Sequence, residues 1–305
     1  MIVLFGSINL DLIFNLPRIP KAGETLLGPS TRVEPGGKGA NQAVAAARDG
    51  ATVVMVGAVG RDALGEGALA LLRDAGVDLD RVRSVEASTG CAAIVVDADG
   101  NNAIAVGSGA NLSVLASQVE DSLLGVNTTL VLQMEVPATE TAALIARARE
   151  AGCEIVLNLA PAAALPERAL RDVDVLVVNE TEGAWLAAHL GCEATAVSLR
   201  NRLGGNTVVL TRGGEGADVA APEDSAWHEP AVPVEAIDTT AAGDCFVGVL
   251  AHRLNSGETL RSAVRRASIA AALCCTHRGS QGSIPTRLET GGFTGSSSSS
   301  PGLTR

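Results

Sequence analysis

A chain of 305 residues has the length of one large or two ordinary domains and can bury a substantial core. With 47% hydrophobic and 19% charged residues it is not a disordered chain, and a net charge of −11, 2% aromatics and no Tyr deny it the cationic stripe and stacking rings of nucleic-acid binding. Six cysteines (Cys91, Cys153, Cys192, Cys245, Cys274 and Cys275) form no C-x-x-C pair and read as free thiols of a reducing compartment. The apolar start Met1–Leu4 lacks a basic flank and reads as a strand rather than a signal peptide, and no uncharged apolar run reaches the ~20 residues that span a bilayer. A cytoplasmic protein with neither nucleic acid nor membrane as partner is expected.

Along the chain, short β-branched runs alternate with Ala-rich stretches of helical period. Strands are expected at Ile2–Phe5, Thr52–Val56, Thr129–Met134, Glu154–Leu159, Val173–Val178 and Thr207–Leu210, and helices at Ala40–Asp49, Leu64–Asp74, Thr139–Ala151, Thr181–Leu190 and Cys245–Leu254. Gly50, Gly76, Gly152 and Gly191 close helices. This alternation predicts an α/β fold with a doubly wound, mostly parallel sheet flanked by helices. Two segments break the rhythm. Gly23–Glu34 and Cys91–Val106, the latter with two β runs around the turn signal Asp97-Ala98-Asp99-Gly100, are expected to form a small antiparallel sheet appended to a single core. Gly291–Arg305, with Ser296–Ser300, has no apolar periodicity and is expected to be a disordered tail.

Four segments carry chemistry. Gly36-Gly37-Lys38-Gly39-Ala40-Asn41 opens an amphipathic helix, so bare backbone, Lys38 and Asn41 meet at a positive helix end where a polar ligand fits; an ordinary Gly-rich turn would look the same. Thr239-Thr240-Ala241-Ala242-Gly243-Asp244 places uncovered amides beside one carboxylate at another helix start. That pairing suits an acid group taking a proton from a hydroxyl that attacks a phosphoryl group, with a plain Asp N-cap as the alternative. Thr211–Gly216 is a Gly-dense loop after a strand, and Asn179-Glu180-Thr181-Glu182 follows a strand at the sheet edge where open α/β sheets bind ligands, or simply caps a helix. The match of Gly65–Ala70 to G-x-G-x-x-[GA] is separated from its strand by Arg61–Leu64, and Asp62 is badly placed for a pyrophosphate. His189, His228, His252 and His277 show no zinc spacing, and no G-x-S-x-G elbow is present.

In their order, these motifs resemble the ribokinase family of carbohydrate kinases over about residues 1 to 285: Gly6-Ser7-Ile8-Asn9-Leu10-Asp11, Gly36–Asn41 with Gln42-Ala43, Glu135, Asn158-Leu159-Ala160-Pro161-Ala162, Asn179–Glu182, Thr211–Gly216 and Asp238–Asp244. The resemblance implies transfer of the ATP γ-phosphate to the 5-hydroxyl of D-ribose. Asn9, Asp11, Gly37, Lys38, Gly39, Asn41 and Glu135 would hold the sugar, Asp244 would be the base, and the amides of Ala241, Ala242 and Gly243 the anion hole. ATP would lie on Asn179, Thr211, Gly213, Gly216, Gly243 and Ser268, with Mg²⁺ organised through phosphates, water and Glu182. A potassium-type site is implied by Asp238, Thr240, Cys274, His277, Gly279 and Ser283, and a β lid from about residues 10–35 and 89–107 that also serves as a homodimer interface. Cys245, Val247 and Asn158-Leu159 depart from the family's pattern, and the final helical segment after Ile284-Pro285 looks to be replaced by the Ser-rich tail. Another furanose such as deoxyribose or fructose, a nucleoside, or a catalytically silent sugar-binding regulator are the alternatives.

Overall fold

The structure is a computed structural model that describes residues 1–98, 101–222 and 224–293. A nine-stranded sheet is built from β1 (Ile2–Phe5), β4 (Val53–Gly60), β5 (Asp78–Val85), β8 (Thr129–Leu132), β9 (Glu154–Asn158), β10 (Val175–Asn179), β11 (Thr207–Thr211), β12 (Gly216–Ala220) and β13 (Trp227–Pro230), in the spatial order β13-β12-β11-β10-β9-β8-β1-β4-β5. All ladders are parallel except β11–β12 and β12–β13 at one edge, so the expected α/β class and mostly parallel sheet are found. The six predicted strands are present with ends shifted by up to four residues, β4 running on from Val56 to Gly60.

Strand β1 shows why the sheet lies in the middle of three layers. All four of its residues are fully buried, as expected of a parallel strand covered on both faces. Ile2 and Leu4 join the core under α1 (Lys38–Arg48), α7 (Ala242–Asn255) and α8 (Leu260–Cys275). Val3 and Phe5 join the opposite core, under α3 (Ala138–Glu150), α4 (Glu167–Arg171), α5 (Glu180–Leu190) and α6 (Ala196–Leu203). Helix α2 (Ala63–Asp74) starts on an Asp62 side chain that accepts from the Leu64 and Gly65 N–H groups. The Gly65–Ala70 motif therefore lies inside a capped helix, after the Arg61-Asp62 turn that joins β4 to α2 rather than in that turn.

The second sheet has the order β3 (Ser30–Gly36), β2 (Asn9–Asn15), β6 (Gly90–Val96), β7 (Asn102–Gly107). Its outer ladders are antiparallel as expected, whereas the central β2–β6 ladder is parallel, because the chain passes through α1, β4, α2 and β5 between those two strands. In the segment Gly23–Glu34 only Ser30 onward is strand; β2, unforeseen in the strand assignment, is its partner. Asp99 and Gly100 of the hairpin turn lie outside the described residues. After Pro285 a short helix, α9 (Arg287–Gly292), forms on a Thr286–Glu289 capping box, correcting the expectation that no helix follows and that the tail begins at Gly291; residues 294–305 lie outside the described region. Among the described residues no helix is long and apolar enough to cross a membrane.

Candidate active site

Strand order reverses at β1: β4 and β5 extend the sheet on one side, and β8 begins the other. Open α/β sheets bind ligands at the carboxyl ends of strands next to such a point, and the segments singled out above follow those ends: Ser7 after β1, Glu135 after β8, Asn158 on β9, Asn179 on β10 and Thr211 on β11.

The Gly-rich loop brings α1 onto the end of β1. Gly37 has φ +87, and a Cβ on Gly39 would lie 2.6–2.7 Å from backbone atoms of Gly6 and Ser7, so only glycine permits the approach. Ser7 Oγ donates to Glu135 Oε2 (2.5 Å), the Lys38 N–H donates to the same oxygen (3.0 Å), and the Gly39 N–H donates to Ser7 Oγ (3.2 Å). Glu135 thus sits as an anion at the positive end of α1. The Lys38 ammonium is held above its usual range by the charge of Asp244 and then of Glu135 and Glu182, against the opposing effect of burial.

Helix α7 lies parallel to α1 with its own start at the same edge. Its N-cap is Ala241, in the left-handed region at φ 60, and the only non-glycine residue there among those described. Strain of this kind concentrates at functional sites. Asp244 is therefore not the N-cap. It stands in the first turn, buried, and its carboxylate accepts from Asn41 Nδ2 on Oδ2 (2.9 Å) and from Gln42 Nε2 on Oδ1 (3.0 Å). Of the three amides expected to form the anion hole, that of Ala242 is engaged by the Thr239 carbonyl (3.3 Å); those of Ala241 and Gly243 make no hydrogen bond among the described residues, and the space beside Gly243 is open.

The contact between the two helices keeps one register along its length: Asn41 and Gln42 meet Asp244, Ala45 and Ala46 meet Gly248, and Asp49 binds His252 Nδ1 (2.7 Å) and Arg253 (2.5 Å). A Cβ on Gly248 would lie 2.4 Å from the Gln42 carbonyl oxygen. Gly248→Val should therefore lower stability by about 3 kcal/mol, a fall in Tm of about 5 °C measured by calorimetry, because backbone cannot yield as a side chain can.

Asn9 and Asp11 alternate on one face of β2. Asn9 Oδ1 accepts from Asn111 Nδ2 (2.7 Å), whose Oδ1 in turn accepts the Ile8 N–H (2.9 Å). Among the described residues Asp11 makes no side-chain hydrogen bond, and its Oδ1 is enclosed without a partner. Burial, then the negative charges of Glu135, Glu34 and Asp244, push its carboxyl up to about 7. Asn41 Oδ1 is likewise buried and unpartnered. Buried acceptors left without a donor are what a polyol, rich in hydroxyl donors, would satisfy.

On the far side, Asn179 and Glu182 form a reciprocal capping box at the start of α5: the Asn179 N–H donates to Glu182 Oε2 (2.9 Å) and the Glu182 N–H to Asn179 Oδ1 (2.8 Å). Burial raises the Glu182 carboxyl. Thr211 to Gly216 is a tight turn between β11 and β12, closed by the Arg212 N–H on the Gly216 carbonyl (2.7 Å). Gly213 and Gly214 face open space, while a Cβ on Gly216 would strike the Glu229 carbonyl at 2.1 Å. The Ser268 hydroxyl is turned back onto the Val264 carbonyl (2.9 Å), which leaves only its lone pairs for a ligand.

The loop after β13 and the segment after α8 meet through Asp238. Its Oδ1 accepts from the N–H and hydroxyl of Thr240, and its Oδ2 from the Gly279 N–H (3.0 Å). Cys274 Sγ lies 3.8 Å from the Thr240 carbonyl and 3.1 Å from Ser283 Oγ, and the single hydroxyl hydrogen of Ser283 is shared between the Gly279 and Ser280 carbonyls (2.7 Å each). Five of the six implied cation residues are thus gathered; His277 instead is exposed, with its ring on Thr276 Oγ1 (3.0 Å). The side-chain oxygens here are spent on the loop itself, so what suits a large monovalent ion is backbone carbonyl oxygen. Among the described residues no group of three or more His, Cys, Asp or Glu could hold a metal. Both Asp244 oxygens and one of Glu182 are also engaged, a donor set that fits magnesium carried on a triphosphate with its own waters rather than caged by protein.

Sequence reasoning missed Asn111 and Gln133, and assigned Gln42 no role. The signal for Gln133 was present: an amide at the end of the apolar run Thr129–Met134 must find a partner, and Gln133 Nε2 donates to Gln42 Oε1 (2.6 Å).

A base-like carboxylate held between amide donors, at a helix start with free N–H groups and at the switch point of a parallel sheet, defines a group-transfer enzyme acting on a hydroxyl. The chain belongs to the pfkB family of carbohydrate kinases, whose profile matches residues 1–287. It is 36% identical to ribokinase of Haemophilus influenzae over 296 residues, 95% of this chain and 96% of that one. Its fold is similar to that of Thermotoga maritima ribokinase (TM-score 0.88, 31% identity, 95% and 97% of the two chains) and of Arabidopsis thaliana ribokinase complexed with ribose and ATP (TM-score 0.86, 30% identity, 96% and 99%).

Proposed function

We propose that this enzyme is an ATP-dependent ribose kinase that converts D-ribose to D-ribose 5-phosphate. The observation that carries the reading is the placement of Asp244, buried and doubly tethered, one residue after the free Gly243 amide at the start of α7. In the mechanism this implies, Asp244 accepts the proton of the ribose 5-hydroxyl as that oxygen bonds to the γ-phosphorus. The bond from phosphorus to the β,γ-bridging oxygen breaks, and ADP leaves. The amides of Ala241 and Gly243 and the start of α7 face the charge on the transferring group. An isolated carboxylate is a weak base, so alignment supplies most of the rate. Asn9, Asp11, Asn41, Lys38 and Glu135 hold the sugar hydroxyls, with Gly37 and Gly39 allowing its close approach. Asn179, Thr211, Gly213, Gly216 and Ser268 border the nucleotide. Magnesium carried on ATP would neutralise phosphate charge, and Glu182 would order its water shell. A potassium ion would rest on the carbonyls of the Asp238–Thr240 and Cys274–Ser283 segments.

The four-stranded sheet acts as the lid over the sugar. Its strand registers put Asp11, Ile13, Ile94, Ile104 and Val106 on one face, and Ile104 and Val106 are 57% and 51% exposed. That apolar face is suited to pairing with a second copy, which supports a homodimer formed through the lids. Free thiols and the need for ATP fit the cytoplasm.

An ADP-release assay over ribose, deoxyribose, fructose and nucleosides is expected to give the highest kcat/KM for ribose; a nucleoside preferred by about ten-fold, 1.4 kcal/mol, overturns the substrate assignment. Ribose is favoured over nucleosides because Phe5 is sealed in the core and Phe14 alternates to the face of β2 opposite Asp11, which leaves neither ring to stack on a base.

A further inference from the structure

We propose that Gln42, backed by Gln133, is a positioning residue for Asp244: a buried chain of carboxamides that fixes the orientation of the base. This rests on Asp244 being the base of the kinase reading above.

The direction of the chain is set from Asp244 and runs back to Gln133, whose own Oε1 is buried without a partner. An ionised carboxylate can only accept, so Gln42 must turn its Nε2 to Asp244 Oδ1 (3.0 Å); the second hydrogen of that nitrogen goes to Asn158 Oδ1 (3.2 Å). Gln42 Oε1 is then left to accept, and Gln133 Nε2 donates to it at 2.6 Å. Asn158, in its turn, donates to the Val177 carbonyl (3.3 Å). Flipping the Gln42 amide would set oxygen against oxygen at Asp244 and Asn158, and nitrogen against nitrogen at Gln133. Gln42 and Gln133 are fully buried and Asn158 nearly so, which makes each mismatched contact costly.

The second tether, Asn41, differs in kind. Its Oδ1 remains unpartnered, whereas both the nitrogen and the oxygen of the Gln42 amide are committed. Gln42 sits on α1, Asn158 on β9, and Gln133 just past β8, so the orientation of one side chain on α7 is referred to three elements of the rigid core. A base that must meet an attacking hydroxyl within hydrogen-bond reach gains most from such fixing, because small misplacements cost large factors in rate.

Three variants test this in the ADP-release assay, with KM for ribose and ATP and thermal melting measured alongside. Gln42→Met keeps length and removes both donors; kcat should fall about 30-fold with both KM values within about two-fold of native, the size expected for a lost bond to a charged group. Gln133→Met should lower kcat by about five-fold. Gln133→Glu can donate to Gln42 Oε1 only while the introduced carboxyl is protonated. Its kcat relative to native at the same pH should therefore fall several-fold as pH rises from about 6 to 9, a response that mere loss of packing does not produce.

Unchanged kcat in folded Gln42→Met, or a Gln133→Glu to native ratio that is flat with pH, overturns the proposal; if Gln42→Met fails to fold, the Gln133→Glu ratio decides it. Failure of the native enzyme to phosphorylate any sugar would overturn the kinase reading itself, an outcome distinct from a native enzyme that works and variants that work equally well.

Discussion

Asp244→Asn is expected to bind ribose and ATP with affinities close to native and to turn over about a thousand-fold more slowly or worse, since a positioned general base contributes ~10²–10⁴ and an amide cannot take the proton. The structure adds a second consequence. Both Asp244 oxygens accept from amide nitrogens, on Asn41 and Gln42, so the substituted amide must present its own NH₂ to one of those donors. A fall in stability of about 1–2 kcal/mol should accompany the loss of turnover. Calorimetric titration with ribose, a coupled assay for ADP and a melting curve read the three effects separately. Turnover within ten-fold of native would remove Asp244 from the role of base.

Asp11→Asn should act in opposite directions on stability and on binding. In the folded protein the Asp11 carboxyl is pushed up to about 7, well above the ordinary carboxylate range, by burial first and then by the charges of Glu135, Glu34 and Asp244. A carboxyl raised in this way does not disfavour the fold below the unfolded value. Its cost grows as pH rises from the ordinary carboxylate range and is complete above about pH 7, where it reaches about 4 kcal/mol as an upper bound. The amide carries no such cost. Asp11→Asn should therefore melt higher than native at pH 8, and the difference should shrink towards zero near pH 4. Binding moves the other way. The enclosed, unpartnered Oδ1 is an acceptor that the substituted amide can offer in only one of its two rotamers, so ribose affinity should weaken about ten-fold or more. A melting difference that does not vary with pH would show that Asp11 ionises normally in the fold.

These two carboxylates show how far composition and motif reading reach. Both stood out as acidic residues next to Gly-rich or polar segments, and their differing electrostatic settings could not be foreseen, because the surroundings of Asp11 come from β3, the segment after β8, and α7. The α/β class was legible because a strand covered on both faces must be apolar throughout, as β1 and β4 are. In the pattern of the residues the second sheet was legible only as an interruption of rhythm. Its parallel central ladder was not, since nothing local to Asn9–Asn15 or Gly90–Val96 states which way they run side by side. Asn111 escaped for the same reason: it lies in a single helical turn, Gly109–Ser113, with no periodicity, and its value comes from reaching Asn9 across more than a hundred residues.

What the sequence by itself determined is the local chemistry: the glycines at Gly37 and Gly39 that alone tolerate the approach to β1, the small residues that leave amides bare before α7, and the alternation of strand and helix that sets the sheet. Only the tertiary structure decided which of those groups face one another. The pairing of α1 with α7, the tethering of Asp244 by Asn41 and Gln42, and the carboxamide chain behind it join residues up to about two hundred positions apart. Contacts of that separation are set by how whole helices pack on a shared sheet, and that packing is fixed by buried volume and hydrogen-bond satisfaction summed over the core rather than by any one segment.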